Sequence, residues 1–196
     1  MERWQALANM VRLLRTNLQE WEDKGGFKSA NWLTGWTYLS DSNQLGVSNL
    51  CGAVTAPMTI TAAMSPVTMS CQTFVKSGAT LTIEAGVTIY GYKDDGSLSA
   101  PCLVIETGAS ISAVGTSSAP ITFTSALPSS LLPAAGSWGG LIVMGDASVY
   151  GGTDEVEGIT GYYYGGTDDD DNSGTLSYVR VWHGGAVIGA DNEING

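Results

Sequence analysis

FVKSGATL (Phe74–Leu81) returns in altered form as VIETGASI (Val104–Ile111), IVMGDASV (Ile142–Val149) and VWHGGAVI (Val181–Ile188). Each copy opens on two apolar residues and passes through a variable pair to Gly or Asp. Ala follows, then usually a hydroxyl residue, then a β-branched residue or Leu. The starts lie 30, 38 and 39 residues apart. Self-similarity at such a period marks a solenoid, in which each repeat is one turn of a coil stacked on the next. Around the octads the apolar period is two: Ala79, Leu81 and Ile83 alternate with Thr80 and Thr82, the pattern of a half-buried strand. A second strand follows in the first two coils, at Val87–Ile89 and Ile121–Ser125. After each comes a longer loop, Lys93–Ala100 and then Ala126–Ser137, so both loops are expected at one corner of the coil. Loops stacked on one side of a solenoid commonly form its working face.

The predicted fold is all-β, a right-handed parallel β-helix over residues 54–196. Stacked coils pair in parallel about 4.8 Å apart. Two inward columns are expected: Phe74, Val104, Ile142 and Val181, and Leu81, Ile111, Val149 and Ile188. Ala79, Ala109, Ala147 and Ala186 should then fall on one line, with Gly78, Gly108 and Gly185 at positive φ and Asp146 less suited to it. A rival register matches Leu81–Ile89 with Leu103–Ile111 at a spacing of 22 and implies the same fold class. The chain stops soon after the fourth octad, so we expect a C-terminally truncated solenoid, or a partner over that end.

Ahead of the coils, residues 3–22 read as an amphipathic helix, with Trp4, Leu7, Val11, Leu14, Leu18 and Trp21 spaced by three and four. Residues 1–26 thus form a helical cap or an oligomerisation segment, and 27–53 a linker or capping segment with Trp32, Trp36 and Tyr38. There is no transmembrane run and no signal peptide; Arg3, Arg12 and Arg15 interrupt the first segment, so either a leader has been removed or the numbering begins on a fragment.

Composition agrees with a strand-and-turn protein: 26 Gly, 43% hydrophobic and only 14% charged residues. Residues 1–28 carry five of the eight Lys and Arg and four of the nineteen acids; the remaining three basic and fifteen acidic side chains give a net charge of −12. Such a surface repels phosphate backbones, which excludes nucleic acid as a partner and favours cations. Three cysteines allow one disulfide and one leftover thiol. Cys51–Cys71 is the expected pair; Cys71 and Cys102 precede successive repeats, so stacking offers an alternative.

The segments CGAVTAPMTI (Cys51–Ile60), SGATLTIEAGVTIYG (Ser77–Gly91), GTSSAPITFTSALP (Gly115–Pro128), SWGGLIVMGDASV (Ser137–Val149) and YYGGTDDDDNSGTLSYVRVWHGGAVIGADNEING (Tyr163–Gly196) resemble secreted right-handed parallel β-helix repeat proteins of bacteria and algae. More distantly they resemble pectate-lyase-like solenoids, which often act on polysaccharides. The resemblance implies the fold, a secreted or cell-surface setting and coils continuing past Gly196; it implies no reaction.

The strongest candidate site is the loop Thr167–Gly174. Asp168, Asp169, Asp170 and Asp171 repel one another unless solvent or a cation intervenes, and Ca²⁺ favours clustered oxygens. Contiguous Asp diverge in an extended stretch, so a solvated acidic turn competes with a Ca²⁺ site to which Asp154, Glu155 and Glu157 would add oxygens. His183, the sole histidine, has no marked partner and reads as structural or surface. Glu84 and Glu106 are the carboxylates to pair for glycoside hydrolysis; a lyase base would come from Lys76, Lys93 or Arg180. Tyr150, Tyr162, Tyr163 and Tyr164 suit either carbohydrate contact or anchoring of a long loop. Thr80 and Thr82, then Ser110 and Ser112, make an outward hydroxyl array of the kind that binds ice, but the expected next rungs, Ser148 with Tyr150 and Val187 with Gly189, break it. The expected role is a non-catalytic extracellular or cell-surface protein for adhesion or assembly that can hold Ca²⁺, with glycans or a protein at the open C-terminal end as partners. The alternatives are a polysaccharide-binding or -cleaving protein and a subunit docking through that end.

Overall fold

The computed structural model describes residues 49–92, 100–127, 132, 135–189 and 192–193. The helix expected over 3–22, the aromatics Trp32, Trp36 and Tyr38, and Lys93 lie outside these residues. Strands β1 (Asn49–Val54), β2 (Met58–Ile60), β3 (Val67–Val75), β4 (Thr80–Ile83), β5 (Thr88–Gly91), β6 (Cys102–Ile105), β7 (Ser110–Val114), β8 (Ile121–Ser125), β9 (Gly140–Val143), β12 (Gly174–Ser177) and β13 (Val179–Val181) build the coils. All of their pairings are parallel. Among the described residues the first coil strand is Asn49–Val54.

Three faces result. On face A the first halves of β1 and β3 stack with β5, β8 and β13. On face B the second halves of β1 and β3 stack with β6 and β9. Face C is β2, β4, β7 and β12. β3 serves two faces because it bends between Met69 and Thr73, at the corner where Cys71 joins Cys51 of the coil before. The loops after β5 and β8 both leave at that A-to-B corner, as the octad spacing predicts.

The B-to-C corners are the octad turns. Ala79 N–H donates to Lys76 O (2.9 Å) and Ala109 N–H to Glu106 O (2.8 Å). Gly78 and Gly108 supply the positive φ (82° and 76°) that an L-residue resists. Glu84–Val87 makes the same turn at the next corner, with Gly86 at φ 83°. The rival register of 22 therefore matched turn chemistry at two different corners. Pairing settles the coil: Leu81 lies against Ile111, Phe74 against Val104, and Val104 against Ile142.

The octad reading fails in its later copies. Asp146, standing where the turn needs Gly, does not adopt positive φ, and the chain leaves the coil after Met144. It forms an antiparallel pair, β10 (Asp154–Glu155) with β11 (Tyr163–Tyr164), and the acidic loop, then returns as β12. Gly174, not Val149, aligns with Ile111, and Ala147 is exposed, off the line of Ala79 and Ala109. Val181 aligns with Phe123 on face A rather than with Ile142. Ile188 belongs to a second antiparallel pair, β14 (Val187–Gly189) with β15 (Asn192–Glu193).

The interior is filled by Val67, Ile89 and Phe123 from face A, Val75, Leu103 and Ile105 from face B, and Leu81, Ile83 and Ile111 from face C. Gly91 leaves room for Trp138, whose ring lies parallel to Phe123 at 6.4 Å. Phe74, Val104 and Ile142 point the other way. They meet Val156, Ile159, Tyr162 and Tyr164 of the excursion that follows β9, in a second apolar cluster. Face B is thus apolar on both sides, which removes the alternation that tells in from out.

Candidate functional site

Chemistry-bearing side chains collect in three places: on the excursion over face B, in the acidic loop, and along the outer edge of the last coil. On face B, Lys76 Nζ pairs with Glu106, donates to Tyr162 Oη at 3.3 Å and stands 5.1 and 5.2 Å from the Tyr162 and Phe74 ring centres. Tyr162 stacks on Phe74 at 4.7 Å. The Glu106 hydrogen bond, helped by Tyr162, raises the Lys76 pKa against the pull of burial. A raised Lys pKa stabilises the fold at neutral pH and loses that contribution only as pH climbs through the folded value. Tyr162 is the anchor of the two roles open to it; Tyr150 is exposed. Thr107 Oγ1 donates to Tyr163 O at 3.0 Å and fastens the same excursion.

In the acidic loop three of the four carboxylates accept local hydrogen bonds, two from backbone and one from a side chain. Asp168 Oδ1 accepts from Asp170 N–H (3.1 Å), Asp169 Oδ1 from Ser148 N–H (3.0 Å), and Asp171 Oδ2 from Ser173 Oγ (2.9 Å). The Ser148 backbone N–H, then its side chain, hold Asp169 below the usual carboxylate range. That contribution is present above the ordinary carboxylate pKa and is lost as pH falls through the lowered one. Asp154 and Glu155 turn to Glu155 and Gly161 N–H groups instead. Among the described residues no three His, Cys, Asp or Glu side chains gather as metal ligands. As placed, this donor set does not fit a Ca²⁺ cage, which takes six to eight oxygens.

Glu84 and Glu106 stand at different corners of the coil, and Glu84 accepts from Ala62 N–H at 2.8 Å. They make no facing pair. His183 Nδ1 is 3.0 Å from Thr124 Oγ1, and its backbone takes φ 63°. Beside it, Arg180 lies over Trp182 at 5.4 Å, with Trp182 49% and Tyr178 60% exposed. Leu176 and Val181, though at inward register positions, are 49% and 44% exposed because no further coil covers them among the described residues. Cys51–Cys71 forms as expected; Cys102 is the buried free thiol, its pKa pushed up to about 12 by burial.

The hydroxyl array was read with its next rung misplaced. The rung above Ser110 and Ser112 is not Ser148 with Tyr150 but Ser173 with Thr175, because β12 pairs with β7. The signal was there: SGTLS (Ser173–Ser177) echoes SGATLT (Ser77–Thr82), one residue short.

No helix among the described residues is long and apolar enough to cross a membrane. A family model described as a pectate-lyase-like beta helix domain matches residues 52–196. No curated protein and no solved structure matches the chain.

Proposed function

The chain belongs to the pectate-lyase-like β-helix domain family, and from that premise we propose that it is a non-catalytic extracellular or cell-surface domain that works by binding, in adhesion or assembly. The observation that carries this reading is the commitment of the two candidate bases among the described residues, Lys76 and Arg180. A polysaccharide lyase needs a basic group free to take a proton beside substrate. Lys76 is instead paired with Glu106 under Tyr162, and Arg180 lies on Trp182. The disulfide supports an oxidising compartment. The test is turnover. Polygalacturonate and neutral plant and algal glycans, incubated with the protein with and without Ca²⁺, should yield neither unsaturated ends nor new reducing ends. Steady product formation abolished by Lys76→Met or Arg180→Ala would overturn the reading.

A second reading is favoured by the exposed patch of Tyr178, Arg180 and Trp182. Two accessible aromatics beside a guanidinium suit the faces and acidic groups of a glycan. The half-exposed Leu176 and Val181 suit instead a protein docked on the last coil.

A further inference from the structure

Face C carries two outward files of hydroxyl side chains. One runs Thr59, Thr82, Ser112, Thr175, one residue from each of four successive coils. The other runs Thr80, Ser110, Ser173; Ser173 is placed by the bond from Ile111 N–H to its carbonyl (3.0 Å), one residue upstream of the Gly174–Ile111 pairing. The register passes through β2, β4, β7 and β12 without a shift. Parallel strand geometry therefore sets the hydroxyls about 4.8 Å apart between coils and roughly 6.7 Å apart along a strand.

The chemistry of these files is uniform. They hold no charge, amide or aromatic ring, although residues 29–196 carry a net charge of −12. The other faces differ: face A sets Tyr90 and Arg180 among its threonines, and face B is covered by the excursion. The one ionic group against the files is Asp171, which accepts from Ser173 Oγ at 2.9 Å at the last rung, and a sugar ring has no aromatic in the files to stack on. What the face offers is a two-dimensional array of groups that each donate and accept. Thr80 Oγ1 and Ser110 Oγ already bond across coils at 2.8 Å, which fixes their rotors and turns their remaining capacity outward. Thr adds a stiff χ1, so its oxygen and methyl hold fixed positions. An array fixed by the sheet would hold waters at set positions, which lowers the entropy cost of ordering them on a ligand.

We infer that face C is a water-ordering surface and that its ligand is crystalline water: the domain binds ice. This goes beyond the binding reading above and does not depend on it. The experiment is partition into slowly growing ice, read as the protein concentration in ice against that in the remaining liquid. Wild type should be enriched in the ice. Thr82→Tyr, a protrusion from the middle of the four-coil file, should fall to the level of an inert protein. Thr122→Tyr, outward on face A, should partition like wild type. Circular dichroism and the thermal midpoint check folding; should Thr82→Tyr not fold, Thr175→Lys, at an exposed position in the same file, replaces it. Exclusion of wild type from ice, or equal partition of the face C variant, overturns the inference. So does retention of wild type on microcrystalline cellulose without enrichment in ice, which would assign the array to a sugar lattice.

Discussion

At Gly174 the chain re-enters the coil with φ 129°, and a Cβ there would stand 1.9 Å from the carbonyl oxygen of Ile111. Gly78 also has positive φ, 82°, but a Cβ there would meet open space. The two positions separate backbone strain from close approach. Gly78→Ala should cost about 1 kcal/mol, the strain of an L-residue in the left-handed region. Gly174→Ala should cost about 3 kcal/mol, because β12 must also move away from β7. Urea midpoints of the two variants check this; equal losses would mean that β12 is not held by that approach. Gly78 was legible, since its place in the octad turn repeats at Gly108. Gly174 was not, because its constraint comes from Ile111, far upstream in the chain. The acidic run was legible as charge, but the direction of each carboxylate was decided by which N–H groups the fold brought near, such as Ser148 to Asp169.

At the scale of elements, the excursion carrying β10 and β11 is held to face B by few groups, with Tyr162 at their centre. Tyr162→Ala removes the stack on Phe74, the hydrogen bond from Lys76 and part of the second apolar cluster. We predict a stability loss of about 2 kcal/mol, below the 3 to 5 typical of a fully buried aromatic. The effect should be local: limited proteolysis should speed up between residues 150 and 161 while amides of β4 and β7 keep their exchange protection. Unchanged cleavage would show that the excursion is anchored elsewhere. The facing of Phe74, Val104 and Ile142 was misread at this scale for a physical reason. Alternation assigns faces only when one side of a sheet meets water, and face B meets apolar side chains on both.

For the whole molecule, stability should be a sum of coils and their nearest-neighbour interfaces. The Cys51–Cys71 link clamps the first described coil to the second across a separation of 20 residues. Removing it with Cys51→Ser should cost about 3 kcal/mol by the loop-entropy estimate, and the loss should stay at one end. Hydrogen exchange should accelerate in β1 and β2 before β7 and β8; uniform acceleration would refute the one-dimensional picture. The sequence by itself determined the solenoid and the shared corner of the two long loops, because each rests on local turn chemistry or on a period that repeats along the chain; the structure chose Cys51–Cys71 over Cys71–Cys102 and the 30-residue register of Leu81 on Ile111 over the rival of 22. Only the tertiary structure decided where the repeat ends. A turn that fails at Asp146 sends the chain over face B, and β12 rather than Val149 completes the hydroxyl files of face C. Strand pairing is chosen by what lies alongside in space, and once an insertion interrupts the period no local signal carries that choice.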